Sequence, residues 1–248
     1  MPLTKPYKRT VRPFTQARVN EGGIGKYILH DDYAESPEHY VRAFLIILKD
    51  YTNLLDYIEP ADKNLQTYSF RVHELLLRAC TEFEANCVAI LTENGYAKAG
   101  NLNMTDYKKI EESHKLSSFE VKIPVWNGTS NLRKPFEKWS TGDSLPWWVA
   151  YNKSKHDRHN EFEEATFEHL TDALCGLIVI LSAQFEDNDF SPVGWGLSAG
   201  GIDDGMKSTI GEYFRIKYPT DWSDDDKYDF KFSELETAPN PFENYDYT

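Results

Sequence analysis

Apolar side chains recur every three or four positions along the first long stretch of this chain, a spacing that places them on one face of an α-helix. Ser36 can cap this helix, Pro37 suits its first position, and Pro60 ends it. The pattern therefore predicts a buried helix over residues 37–59. Its apolar face consists of Val41, Phe44, Leu45, Leu48, Tyr51, Leu55 and Ile58.

A second helical pattern is longer and predicts the central helix of the fold, over residues 63–94. It ends at Asn94 and Gly95, a pair typical of a helix C-terminus. A stripe of apolar residues runs along one side of this helix. The stripe consists of Val72, Leu75, Leu76, Ala79, Cys80, Phe83, Cys87, Ile90 and Leu91.

Three further helices follow from the same periodicity. A short one is predicted over residues 105–114, and another runs from Trp147 to His156. The third long helix covers residues 160–186, with Asn160 as its N-cap. The pattern leaves open whether the last two are one continuous helix.

Strict alternation of apolar and polar residues predicts strands in the second half of the chain. Residues 119–125 (FEVKIPV) alternate in this way, residues 127–128 offer a turn, and residues 132–139 suit a returning edge strand. Residues 214–218 and 228–232 alternate similarly. We expect those two runs to pair with each other as a hairpin.

Together these elements predict a mainly α (α+β) protein, an antiparallel helical bundle with two small β-hairpin elements. The 248 residues contain no flexible linker, so we expect one elaborated domain. It divides into a basic N-terminal arm (1–35), the bundle with a β insertion around 118–140 (36–186), and a loop, hairpin and acidic extension (187–248). The extension's aromatic residues Phe242, Tyr245 and Tyr247 are expected to dock on the body or on a partner.

Charge is unevenly distributed along the chain. The formal net charge is −13, but residues 1–30 carry +5, which leaves −18 on the rest. An acidic domain repels polyanions, so nucleic-acid binding would require the N-terminal arm or the basic residues of 153–159. The simpler interpretation is that the arm is a flexible extension lying on an acidic surface.

Several function classes are excluded by what the chain lacks. The N-terminal residues form no secretory signal, and the longest apolar run, 173–181, is too short for a membrane helix. We expect a soluble cytoplasmic protein with no membrane association and no cofactor. Cys80, Cys87 and Cys175 are expected to be reduced core residues.

Two motifs suggest chemistry that the rest of the chain does not support. Residues 196–200 (GLSAG) match a nucleophile elbow, but no histidine follows His169, so the order required of a hydrolase fails. His156, His159 and Glu163 have helical spacing suited to a metal ion. No further ligand completes such a set, and we predict no metal site.

Two polar residues of the central helix need buried partners. On a helical projection Asn86 lies inside the apolar arc and Glu82 at its edge. An unpaired buried polar group costs on the order of 1–3 kcal/mol, so donors must come from elsewhere, and the stretch YNKSKHDR supplies them. We predict a clamp in which His156 or Arg158 bonds to Glu82 or Asn86. Its other members are Trp147, Trp148, Tyr151, Asn152 and Asp157.

The same cluster has a catalytic interpretation. A histidine near neutral pKa can move protons, and two cations can hold a phosphodiester, which gives metal-independent RNA cleavage. His156, Arg158 and Lys155 would be the catalytic residues, with the adjacent tryptophans stacking a base. The sequence leaves the clamp and the ribonuclease as alternatives.

The segment PWWVAYNKSKHDRHNEF, preceded by LLLRACTEFEANCVAIL, resembles a group of uncharacterised bacterial proteins with a WWxxYNxxKHxR signature, which are similar to HEPN-type helical bundles. The resemblance implies a dimeric helical bundle, in many members a metal-independent ribonuclease of toxin or antiviral systems. That catalytic motif has four to six residues between Arg and His. Arg158 is followed directly by His159 and next by His169, so the motif is absent. We expect association with a second copy or a protein partner, with RNA as a further possible partner.

Overall fold

The structure, a computed structural model, describes residues 1–190 and 205–248. These ranges contain seven α-helices and four short strands. The helices are α1 (Pro37–Leu54), α2 (Phe70–Glu93), α3 (Met104–Tyr107), α4 (Ile110–His114), α5 (Pro146–His156), α6 (Phe167–Phe185) and α7 (Phe232–Leu235). The strands are β1 (Glu120–Lys122), β2 (Leu132–Arg133), β3 (Lys207–Ser208) and β4 (Arg215–Lys217). The predicted mainly helical architecture with small β elements is confirmed.

Helix α6 is the centre of the core, because it is buried along almost its whole length and packs against α1, α2 and α5. Helix α5 also packs against α2. A glycine makes one of these contacts possible: a Cβ at Gly176 would lie 3.1 Å from the Trp147 ring. The indole of α5 therefore lies directly against the α6 backbone.

The long helices are shorter than the periodicity predicts. Helix α1 ends before residue 59, α2 begins after residue 63, and α6 begins at Phe167 and not at Asn160. The N–H groups of Phe167 and Glu168 donate to the carbonyls of Thr67 and Leu65, at 2.7 and 2.9 Å. The carbonyls of Leu65 and Thr67 thus satisfy the first free N–H groups of α6, so these two residues do not extend α2 toward the N-terminus.

Side chains mark these corrected boundaries. The Ser69 hydroxyl accepts from the Val72 N–H at the start of α2, and the Thr166 hydroxyl accepts from the His169 N–H at the start of α6. Residues 157–166 separate α5 from α6, so the two are not one continuous helix. The single helix predicted over residues 105–114 is two short helices, α3 and α4.

The four strands form one antiparallel sheet in the order β2–β1–β4–β3. The pairing of β1 with β2 agrees with the predicted insertion. The predicted hairpin between residues 214–218 and 228–232 is wrong, because β4 pairs with β1 and β3. Tyr228 instead pairs with the N-terminal arm, donating its N–H to the Pro13 carbonyl and accepting from the Thr15 N–H.

The expectation of a flexible, surface-lying arm is also wrong. The Val11 N–H donates to the Ala183 carbonyl of α6 at 2.9 Å, and Arg9 and Arg12 are 0% and 5% exposed. The arm contributes two buried cations and is a part of the core. The C-terminal extension docks on the body as expected, with Phe242 and Tyr247 buried.

Helix α6 is long and apolar enough to cross a membrane by length and composition, but 83% of its most apolar window is buried inside the molecule. It is the core helix of this fold. Cys80 and Cys87 on α2 and Cys175 on α6 are free thiols with no exposed surface. Burial raises the pKa of all three thiols, so they remain protonated and unreactive in the folded protein.

Candidate functional site

The basic cluster predicted at residues 153–159 lies at the C-terminal tip of α5. Lys155, His156, Asp157, Arg158 and His159 are all exposed. Helix α5 ends at His156, where the Asp157 N–H donates to the Lys153 carbonyl. Cations at this end of a helix are favoured by the helix dipole. The cluster is therefore a solvated helix end.

The two lysines of the cluster form hydrogen bonds with residues close by in the sequence. The Lys153 ammonium donates to the Glu164 carboxylate at 2.8 Å, and the Lys155 ammonium donates to the Tyr151 hydroxyl at 2.9 Å. These hydrogen bonds raise the pKa of both lysines. The bonds from Asn160 lower the pKa of Asp157. At neutral pH neither lysine is a proton acceptor.

The predicted clamp is not formed by these residues. The Asn86 side chain is fully buried, as expected, but it donates to the Glu82 backbone carbonyl at 2.8 Å and accepts from the Gln184 amide at 2.9 Å. Glu82 lies in a groove between α1 and α2, where desolvation raises its pKa. Neither residue bonds to His156 or Arg158, because α6 and not the α5 tip faces Asn86.

A different cation holds the bundle together at this point. The Arg9 guanidinium donates to Gln184 Oε1 at 2.9 Å and pairs with the Glu93 carboxylate at 2.7 Å. It also lies over the Tyr40 ring, 4.6 Å from the centroid. The N-terminal arm, α2 and α6 are thus joined by a buried charged network. Sequence reasoning missed it, although Gln184 interrupts the apolar run of α6 and signals a need for a partner.

The two tryptophans form core contacts. Trp147 donates its indole N–H to the Pro135 carbonyl at 2.9 Å, and Trp148 packs on Phe83 with ring centroids 5.8 Å apart. Both indoles and Tyr151 are buried, so they screen α5 from water but cannot stack a nucleobase. Asn152 is half-buried on the same helix.

Exposed aromatic rings lie beside the basic cluster. Phe70 is 67% exposed and Tyr68 is 49% exposed, and both rings contact Phe162, at centroid distances of 4.8 and 5.7 Å. The Arg158 guanidinium lies 5.7 Å from the Phe70 centroid. We call Tyr68, Phe70, Phe162, His156, Arg158 and His159 the α5-tip surface. Its aromatic part is not evident from the sequence, because Phe70 and Tyr68 fall within the stretch predicted as the central helix.

The segment around this surface is nearly neutral overall. Residues 153–164 contain three lysine or arginine residues and four acidic residues, so the cluster is basic only over its first seven positions. Within the described residues, His156 has no hydrogen-bonding partner to orient its ring. General base catalysis relies on such a partner to fix the tautomer. The geometry supports recognition of a partner surface more than proton transfer.

Two motifs of the sequence remain to be placed. Residues 196–200, the GLSAG motif, lie outside the described residues. Among residues 1–190 and 205–248 no group of three or more His, Cys, Asp or Glu side chains is arranged to hold a metal ion. His156, His159 and Glu163 therefore form no such group.

Comparison with known proteins gives no relative from which a role can be transferred. No protein-family model matches the chain, and no curated protein or solved structure is significantly similar to it. Any functional conclusion must come from the residues themselves.

Proposed function

We propose that this protein acts by macromolecular association and that the α5-tip surface is its docking face. The observation that carries the proposal is the exposure of Phe70, 67% open to solvent at the start of α2 with Arg158 over its ring. Aromatic and arginine side chains dominate the binding energy of protein interfaces. Exposed apolar clusters rimmed by polar residues commonly mark interaction sites.

The partner that fits this surface is a second copy of the chain. With a net charge of −13, two copies repel each other over most of their surfaces. The segment 153–164, which forms much of the α5-tip surface, carries both signs in nearly equal number, so two copies can meet here with little repulsion. Cations such as Arg158 on one copy can face acids such as Glu163 on the other, as a two-fold interface requires. The same balance weakens attraction for RNA.

A cytoplasmic HEPN-like role, in a toxin or antiviral defence system, belongs to this proposal. Its support is the WWxxYNxxKHxR signature together with a mainly helical fold in which α5 carries that signature up to His156. Association between copies is the part of the proposal that this chain's own surface supports.

Sedimentation velocity across a concentration series tests the docking face. We expect the wild-type chain to form a dimer and Phe70→Asp to remain monomeric, because a charge on the exposed ring position disrupts the interface without touching the core. Leu29→Asp is the matched control, since Leu29 is 59% exposed in the N-terminal arm and is not part of the α5-tip surface. A wild-type monomer at all concentrations, or dimers of Phe70→Asp, would refute the proposal.

The ribonuclease alternative is tested by a cleavage assay. Wild-type protein and His156→Ala are incubated with total RNA in EDTA. We expect no cleavage that depends on His156, because the cluster lacks an orienting partner for the imidazole. Cleavage lost in His156→Ala would establish the enzyme in place of the docking module.

A further inference from the structure

A groove lies on the outer surface between α1 and α2. It is formed by two pockets, of about 320 and 230 Å³, which meet at Arg78. We call it the α1–α2 groove, with walls from Ala43 to Leu54 on α1 and from Arg71 to Glu82 on α2. The wall on α1 is roughly 16 Å long, about three helical turns. An open groove of this length between two helices suits a third helix better than a compact small molecule.

The larger pocket has an apolar surface that water can reach. Ile46 is 49% exposed, and Ala43 and Leu77 are half-buried beside it. The buried Ile47 lines the same pocket. Apolar side chains of a bound segment would remove this surface from water, which favours binding.

One carboxylate lies among these apolar side chains. Within residues 1–190 and 205–248, no side chain donates a hydrogen bond to the half-buried Glu82 carboxylate, and the exposed Arg42 and Lys49 of α1 line neither pocket. Burial raises the pKa of Glu82, and the cation that opposes this rise, Arg78, donates to the Asp50 carboxylate at 2.5 Å. A partly desolvated carboxylate without a donor favours a cation supplied by a ligand.

The other charged residues of the groove neutralise one another. Arg78 pairs with Asp50, and Arg71 pairs with Glu74 at 2.9 Å. Glu82 therefore leaves the groove with one excess negative charge, on a chain whose net charge is −13. A basic partner is attracted to this surface, whereas an acidic one, including a second copy of the chain, is repelled.

We propose that the α1–α2 groove binds an amphipathic helix of a partner protein, one with apolar residues on one face and a lysine or arginine beside them. The apolar residues of the partner cover Ile46 and Leu77, and its cation pairs with Glu82. The groove shares no residue with the α5-tip surface. The proposal therefore goes beyond self-association and does not rest on it.

Fluorescence anisotropy with labelled peptides tests the groove, at an ionic strength of about 0.15 M to screen long-range attraction. The probe is a helical peptide of about four turns. Its leucines lie at helical spacing on one face, and lysines occupy the other positions. A matched peptide carries glutamates in place of the lysines. We expect the lysine peptide to bind at least about tenfold more tightly than the glutamate peptide.

Variants of the chain separate the groove from general attraction to an acidic protein. Glu82→Gln should weaken binding of the lysine peptide about fivefold, because it removes a charge-assisted bond. Glu137→Gln makes the same change of charge at an exposed position outside the groove and should alter binding by less than about twofold. Ile46→Arg should abolish binding, whereas Leu29→Arg, at an exposed apolar position outside the groove, should not.

Four results would overturn the proposal. These are a lysine peptide that does not bind, equal effects of Glu82→Gln and Glu137→Gln, and equal effects of Ile46→Arg and Leu29→Arg. The fourth is displacement of the probe by spermidine, a cation without an apolar face, as readily as by unlabelled peptide. Ile46→Arg should sediment like the wild type, since the groove is separate from the α5-tip surface. A change of oligomeric state in this variant would assign the groove to a second copy instead.

Discussion

Buried polar side chains decide the details of this fold at the scale of single residues. Asn86 could be recognised from the sequence as a residue in need of a partner, since its position on the helix faces the core. Its partner Gln184 lies 98 positions away and could not be identified. Periodicity specifies which way a side chain faces but not which distant group meets it.

Substitutions on α2 test this assignment. Asn86→Ala should lower the free energy of unfolding by about 1–3 kcal/mol, because it leaves one N–H of the buried Gln184 amide without its acceptor. Glu82→Ala should change it by less than about 0.5 kcal/mol, since the Glu82 side chain makes no bond to the α5 tip. Urea denaturation of both variants gives the comparison. A large loss of stability with Glu82→Ala and none with Asn86→Ala would instead support the clamp predicted from the sequence.

His114 should make the stability of the protein depend on pH. The imidazole is fully buried, with Nε2 bonded to the Arg9 carbonyl at 2.9 Å and Nδ1 bonded to the Ser113 hydroxyl at 2.6 Å. Burial lowers the pKa of His114 from 6.5 to about 4. Between these pH values the unfolded chain binds a proton that the folded chain does not. The free energy of unfolding therefore falls as pH decreases from 6.5, by about 3 kcal/mol at pH 4.

Denaturation at pH 7 and pH 5 measures this dependence. His114→Gln should lose the part of the pH dependence of the unfolding free energy that the imidazole causes. The variant should also be less stable than the wild type at pH 7. His39→Gln is the control, because His39 is an exposed surface histidine. Equal slopes for wild type and His114→Gln would show that His114 titrates normally.

At the scale of elements, local signals located the helices and strands but not their limits or pairings. Alternation marked residues 214–218 and 228–232 equally well, because both runs are buried on one face. Only the three-dimensional structure shows that the first pairs with β1 and the second with the N-terminal arm. Likewise, the non-helical stretch before α2 is held by contacts to α6, which no local pattern contains.

The turn between β1 and β2 is an element that the sequence predicted well, and it depends on Gly128. This residue has φ 138°, and a Cβ there would overlap the Asp62 carboxylate. Asp62 in turn accepts from the Trp126 indole at 2.8 Å and the Thr129 N–H at 2.8 Å. The bond from Trp126 contributes most to lowering the pKa of Asp62.

Gly128→Ala should therefore lower the free energy of unfolding by roughly 1–3 kcal/mol, from backbone strain and loss of the Asp62 bonds. Gly22→Ala is a matched control, since no atom lies within 4 Å of the added Cβ. Thermal and urea denaturation report both changes. If the two variants were equally stable, the turn would not be rigid.

At the scale of the whole molecule, both ends of the described chain are fastened to the end of α2. The Asn94 amide donates to the Lys8 carbonyl at 3.2 Å, and its oxygen accepts from the Tyr245 N–H at 2.8 Å. Residues 7 and 243 also pair directly as a parallel bridge. The N-terminal arm and the C-terminal extension therefore form one layer over the helices.

Asn94→Ala should release both segments together. We expect limited proteolysis, followed by mass spectrometry, to show faster cleavage in the first ten and the last ten residues at once. The free energy of unfolding should fall by about 1–3 kcal/mol. Thr92→Ala, an exposed position on the same helix end, should leave cleavage unchanged. Faster cleavage at one end alone would mean that the two segments are independent.

The three thiols buried between α2 and α6 give the protein an internal reporter. An alkylating reagent can reach Cys80, Cys87 or Cys175 only when the helices separate, since none of the three has exposed surface. The rate of labelling in native buffer then measures how often the bundle opens, without any added probe. Modification that stays slow at all three positions would identify the α2–α6 pair as the last part of the molecule to come apart.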